Sequence, residues 1–157
     1  MSAIPLETLY ETLEAQGVDV FSCPLGSLKA VAEPSGYLGL NQQHLAGAAE
    51  ERAVLIHEEG HFATGTFYQF DSPFTVRRHQ ENVACRYGYE KYFPLDAILD
   101  AMQDGHTEPW DLAEHFDVPL CYISEMLEYY RTAQNVDFAA ALAARKERAE
   151  PESAPCP

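Results

Sequence analysis

Residues 54–62 read Val54-Leu55-Ile56-His57-Glu58-Glu59-Gly60-His61-Phe62, an H-E-x-x-H set directly behind an apolar run. The apolar approach predicts a helix, and a spacing of four puts His57 and His61 on one face, about one turn apart. Two imidazoles placed so can offer two nitrogens to a zinc ion. Glu58, beside them, is a carboxylate placed to take a proton from water activated by the ion. Catalytic zinc usually takes three protein ligands and keeps one open position. The pattern therefore constrains the rest of the fold: a second element must return past this helix and deliver a third ligand.

Glu81 is the candidate. Residues 62–80 leave room for the first helix to end, a turn to form and a second helix to run back. In Glu81-Asn82-Val83-Ala84-Cys85-Arg86-Tyr87-Gly88-Tyr89, positions 81, 84, 85 and 88 share a helix face. Ala84, Cys85 and Gly88 are small, which lets two helices approach closely enough for a carboxylate to reach its neighbour's metal. His79 is the rival ligand. It lies two positions away and so points to nearly the opposite side. The plain alternative to a metal centre is an amphipathic surface helix whose histidines and acids are merely solvated.

With 25 acids against 10 bases the net charge is −15. Such a chain is repelled by nucleic-acid phosphates and suits a basic protein partner. No stretch approaches the roughly 18 apolar residues of a membrane span. Met1–Glu7 lacks the basic and apolar regions of a signal peptide. Cys23, Cys85, Cys121 and Cys156 are scattered without a C-x-x-C pair, and no histidine stands close to any of them in sequence. That pattern predicts reduced thiols in a cytoplasmic protein rather than a disulfide frame, a cysteine zinc site or a nucleophilic cysteine.

Periodicity and turn residues predict an α+β chain, mostly helical with a small antiparallel sheet. A first helix is expected over 5–16, then a short strand or connector over Val18–Phe21. Leu28–Glu33 and Tyr37–Leu40 form a hairpin about Pro34-Ser35-Gly36. Tyr37–Leu40 leads toward the histidine helix and is the expected strand for pairing with an extended substrate. The histidine helix is placed at about 45–67, the Glu81 helix at about 75–93, and a helical subregion at 95–131. There, 109–116 and 120–131 look like helix-turn-helix, but the second helix is acidic and aromatic, so the pair reads as packing. Residues 1–134 make a metallopeptidase domain. Residues 135–157 make a tail, partly helical over Phe138–Glu150 and disordered at its end. Asp71 is expected to orient a histidine or cap the next helix. Tyr68, at the cleft or in rim packing, Tyr87 and the loop residue His106 are candidate oxyanion stabilisers.

The chain resembles the ImmA/IrrE-type metallo-endopeptidases of bacteria and their mobile elements. The likeness rests on His57–His61, on Gln80–Lys91 with Pro94-Leu95, and on Asp111–Val118, and it spans roughly residues 5–131. It implies a gluzincin-like core, with zinc held by His57, His61 and Glu81 and with Glu58 as general base. It further implies cleavage of a helix-turn-helix repressor of a phage or mobile element, without direct contact to nucleic acid or membrane. His79 and the Ala-rich tail fall outside the pattern. A zinc-stabilised protein that sequesters a transcription regulator without cutting it would keep the same ligands.

Overall fold

The computed structural model describes residues 3–149 of the 157, so the disorder expected at the end of the tail lies outside the described residues. The described chain is α+β and mostly helical. It runs α1 (Leu6–Ala15), β1 (Asp19–Ser22), β2 (Ala30–Glu33), β3 (Tyr37–Leu40), α2 (Ala48–Thr64), α3 (Phe74–Tyr92), α4 (Leu95–Gln103), α5 (Pro109–Phe116), α6 (Leu120–Thr132) and α7 (Phe138–Ala149). The histidine helix is shorter than expected at both ends. Leu45 is still extended, and Gly65 stops the helix in the left-handed conformation at φ 66°, its amide closing on the His61 carbonyl.

The sheet differs from the expected antiparallel one. β3 is central, with β2 antiparallel on one side and β1 parallel on the other. Ser22 and Ala30 both stand opposite Leu40, so residues 23–29 carry the chain over the end of β3 to its far edge. A buried Asn41 holds that crossing, its Nδ2 donating to the carbonyls of Gly26 (3.1 Å) and Leu28 (3.0 Å). The hairpin of β2 and β3 forms as expected.

The core gathers Leu9 and Leu13 of α1, Leu38 and Leu40 of β3, and Leu55 and Ile56 of α2 with the apolar faces of α4, α5 and α6. The pair α5 and α6 packs inward through Leu112, Phe116, Ile123 and Met126, each nearly inaccessible to solvent. Phe138, Ala141 and Leu142 of α7 pack against the same core, and Arg145 pairs with Asp96 and Asp100 of α4. Among the described residues, no helix is long and apolar enough to cross a membrane.

Three contacts fix the histidine helix. A Cβ on Gly60 would sit 2.4 Å from the Ala84 carbonyl oxygen, and one on Gly88 would sit 2.8 Å from Ile56 Cγ2. The two helices thus approach to a distance that only glycine permits at both points. The buried Arg52 donates through Nε to the Ile4 carbonyl (2.6 Å) and through Nη1 to Asp117 Oδ2 (2.6 Å), tying α2 to the chain start and to the α5–α6 turn. Glu59 has no exposure, and its Oε1 accepts from Gln16 Nε2 (2.6 Å), Lys91 Nζ (2.8 Å) and Tyr87 Oη (3.2 Å), joining α1, α2 and α3.

Candidate metal centre

The close approach of α2 and α3 brings three donors to one point. His57 Nε2 lies 3.1 Å from His61 Nε2 and 3.0 Å from Glu81 Oε2, and His61 Nε2 lies 3.4 Å from Glu81 Oε1. Ligands about 2.0 Å from a tetrahedral ion are separated from one another by roughly 3.3 Å. His57, His61 and Glu81 therefore form a group that could hold a metal ion. The rival His79 is exposed and lies outside this group.

Hydrogen bonding on the far side of each ring favours the same conclusion. His61 Nδ1 donates to the Thr66 carbonyl at 2.6 Å, in the turn that the left-handed Gly65 creates. That leaves the His61 Nε2 lone pair facing the cluster. His57 Nδ1 lies 3.5 Å from Cys85 Sγ, which sits one turn beyond Glu81 on α3. Once the extra proton on His57 is displaced, a proton on each Nδ1 leaves two Nε2 lone pairs beside a carboxylate, a set of donors that suits a cation.

Without a metal, a proton on His57 supplies the positive charge that the Glu81 carboxylate favours. Burial pushes the His57 imidazole down, but Cys85 and Glu81 outweigh it and hold it at about 10. Hydrogen bonds from His57 and His61 hold the Glu81 carboxyl well below the ordinary carboxylate range. Burial raises the Glu58 carboxyl against the opposing pull of the two histidines, which suits a group that must accept a proton.

Glu58 lines a cavity of about 420 Å³ together with His57, His61 and Glu81. Its other walls come from β2 and its approach (Leu28, Ala30, Val31) and from the loop after α2 (Phe67, Tyr68, Phe70). A groove between α3 and α6 is larger, about 680 Å³, but holds none of the His-His-Glu donors. Tyr68 stands at the cleft, its hydroxyl donating to Glu81 Oε1; burial, then that bond, push its phenol up to about 12.

Several expectations change in the structure. Tyr37–Leu40 is the central strand with both edges paired, so it cannot receive a substrate; of the two edge strands, β2 borders the cavity. Asp71 is exposed and makes no hydrogen bond among the described residues; the Thr66 carbonyl and Cys85 hold the histidines instead. Tyr87 points to Glu59 and His106 pairs with Asp111 (2.9 Å), so neither lines the cavity. Sequence reasoning missed Thr66, the place of β2 on the cavity wall and the contact of Cys85 with His57. Gly65 was the one signal for Thr66, since a glycine after a helix marks the turn that folds the next residue back.

The chain matches no family model, no curated protein and no solved structure.

Proposed function

We propose that this protein is a zinc-dependent endopeptidase with a gluzincin-like core, of the ImmA/IrrE type its sequence resembles. The observation that carries the proposal is the convergence of His57 Nε2, His61 Nε2 and the Glu81 carboxylate at 3.0–3.4 Å, with Glu58 on the wall of the same cavity. The ligand chemistry of two imidazoles and a carboxylate fits zinc. When bound, zinc supplies a Lewis acid that polarises the scissile carbonyl and acidifies water. Glu58 accepts the proton of the attacking water and returns it to the leaving amine. The free edge of β2 offers main-chain hydrogen bonds to an extended substrate segment. The Tyr68 hydroxyl, a donor at the cleft, is placed to meet negative charge developing on the substrate oxygen.

The substrate in this reading is a basic helix-turn-helix repressor of a phage or mobile element, met in the cytoplasm. The net charge of −15 supports a basic partner. The test is incubation of the zinc-loaded protein with helix-turn-helix repressors from its own genome, followed by mass spectrometry. Two fragments are expected, with none after chelation and none from Glu58→Gln. A repressor that is bound tightly yet stays whole would point instead to sequestration.

A further inference from the structure

Arg77 is the one Lys or Arg among the residues lining the metal cavity. It makes no ion pair and no side-chain hydrogen bond among the described residues, and its Nε is shut off from solvent with no partner. Of the 10 bases, Lys29, Arg52, Lys91 and Arg145 pair with carboxylates; among the described residues that do not, Arg77 is the one Lys or Arg with a side-chain nitrogen buried and unpartnered. The enclosed Nε is beyond the reach of an incoming group, but the two terminal nitrogens are not shut off and have no acceptor among the described residues, so the guanidinium is free to take a partner from the cavity. Arg77 stands four residues before Glu81 on α3, on the same face and about 6 Å along the helix. The cavity also has apolar walls, Leu28, Val31, Phe67 and Phe70, apart from the polar group of His57, Glu58, His61 and Glu81.

Resting on the peptidase reading above, we infer that Arg77 is a specificity-determining residue: it receives a carboxylate side chain of the bound peptide, beside an apolar side chain seated between β2 and the loop after α2. A planar guanidinium pairs with a carboxylate through two parallel hydrogen bonds, which a neutral amide cannot reproduce. An extended peptide advances about 3.4 Å per residue, so the acid falls about two residues from the bond at the metal. The requirement is local and sits easily within a substrate that is basic as a whole.

The test uses ten-residue peptides of alanine and threonine with a central Leu-Phe, in which one position at a time, up to three residues either side, is Asp, Asn or Lys. Cleavage by the zinc-loaded full chain is read by mass spectrometry, and binding to zinc-loaded Glu58→Gln by fluorescence anisotropy. At one position Asp is expected to be favoured over Asn by roughly 10-fold or more. Arg77→Gln should erase that preference, and Arg77→Glu should turn it toward Lys. Equal treatment of Asp and Asn, an Asp preference that survives Arg77→Gln, or no binding of any peptide overturns the inference. An Arg77-dependent preference in binding, with every peptide left uncut, keeps this inference and sinks the peptidase reading instead.

Discussion

His61 is held from behind by Thr66: its Nδ1 donates to the Thr66 carbonyl at 2.6 Å, across the turn that ends α2. The acceptor is backbone, so its position depends on Gly65, which sits at φ 66° with open space where a Cβ would be. A side chain at Gly65 meets no neighbour and acts only through backbone strain, about 1–2 kcal/mol for a β-branched residue. Gly65→Val is therefore expected to lower stability by about that amount and to weaken zinc binding about tenfold as the carbonyl shifts. Thr66→Val keeps the carbonyl and should leave zinc affinity within about threefold. Chelator competition on both variants, beside urea denaturation of the metal-free forms, checks the split.

Cys85 does for His57 what Thr66 does for His61, with a softer acceptor at 3.5 Å. Removing the partner of a ligating imidazole typically weakens metal binding 10–100-fold. A thiol is a weak acceptor, so Cys85→Ala should lie near the lower limit, about 10-fold, and Cys85→Ser should recover part of the loss. Cys121 is exposed, and Cys121→Ala serves as the control without effect. Competition titration measures the affinities, and the visible spectrum of the cobalt-substituted protein reports whether His57 still ligates.

Much of the centre was legible because helix periodicity is rigid. The four-residue spacing of His57 and His61 and the shared face of Glu81, Ala84, Cys85 and Gly88 follow from 3.6 residues per turn. What was not legible is where one face meets another. Gly60 lies inside the motif, yet only the structure shows the Ala84 carbonyl pressed on it. Cys85 has no histidine close to it in sequence and meets His57 across 28 positions of the chain. The strand order failed for the same reason: the hairpin is local, whereas β1 pairs with β3 across the whole of β2. Nothing in four residues of strand announces a parallel partner.

The metal-free cluster makes stability depend on pH in both directions. Glu81 is depressed, so its contribution is present above the unfolded value of 4.5 and is lost as pH falls toward its folded one. His57 is raised, so its contribution is full below 6.5 and is lost as pH rises toward about 10. From this pair, the metal-free protein should be most stable between pH 4.5 and 6.5 and melt lower on either side. Zinc must displace the His57 proton, so the rise in melting temperature on adding zinc should grow from pH 5 to 8. Thermal scans with and without zinc across that range decide it. A zinc effect that does not change with pH counts against a protonated His57 in the metal-free protein.

Glu59, between Glu58 and His61 in sequence, does different work. Its carboxylate is fully buried on the opposite side of α2, and Lys91 at 2.8 Å is its only ion-pair partner among the described residues. Burial works against the Lys91 ammonium, but the Glu59 and Tyr87 bonds prevail and hold it charged, with its pKa raised. Removing one partner of a buried pair typically costs about 3–5 kcal/mol, because a charge is left without a counter-ion. The Lys91 side chain is 36% exposed. Solvent screening therefore brings the expected loss for Lys91→Met down to about 2–3 kcal/mol. Glu59→Gln keeps an acceptor for Gln16 and Tyr87 and removes the charge that needs compensation, so it should cost less, about 1–2 kcal/mol. Combining the two substitutions should recover part of the Lys91→Met loss, since no buried charge is then left unpaired. Urea denaturation of the four proteins measures that coupling, and additive losses would show that the pair is not what ties α3 to α2. Zinc affinity in Glu59→Gln should stay close to that of the parent, because Glu59 is not among the residues that line the metal cavity.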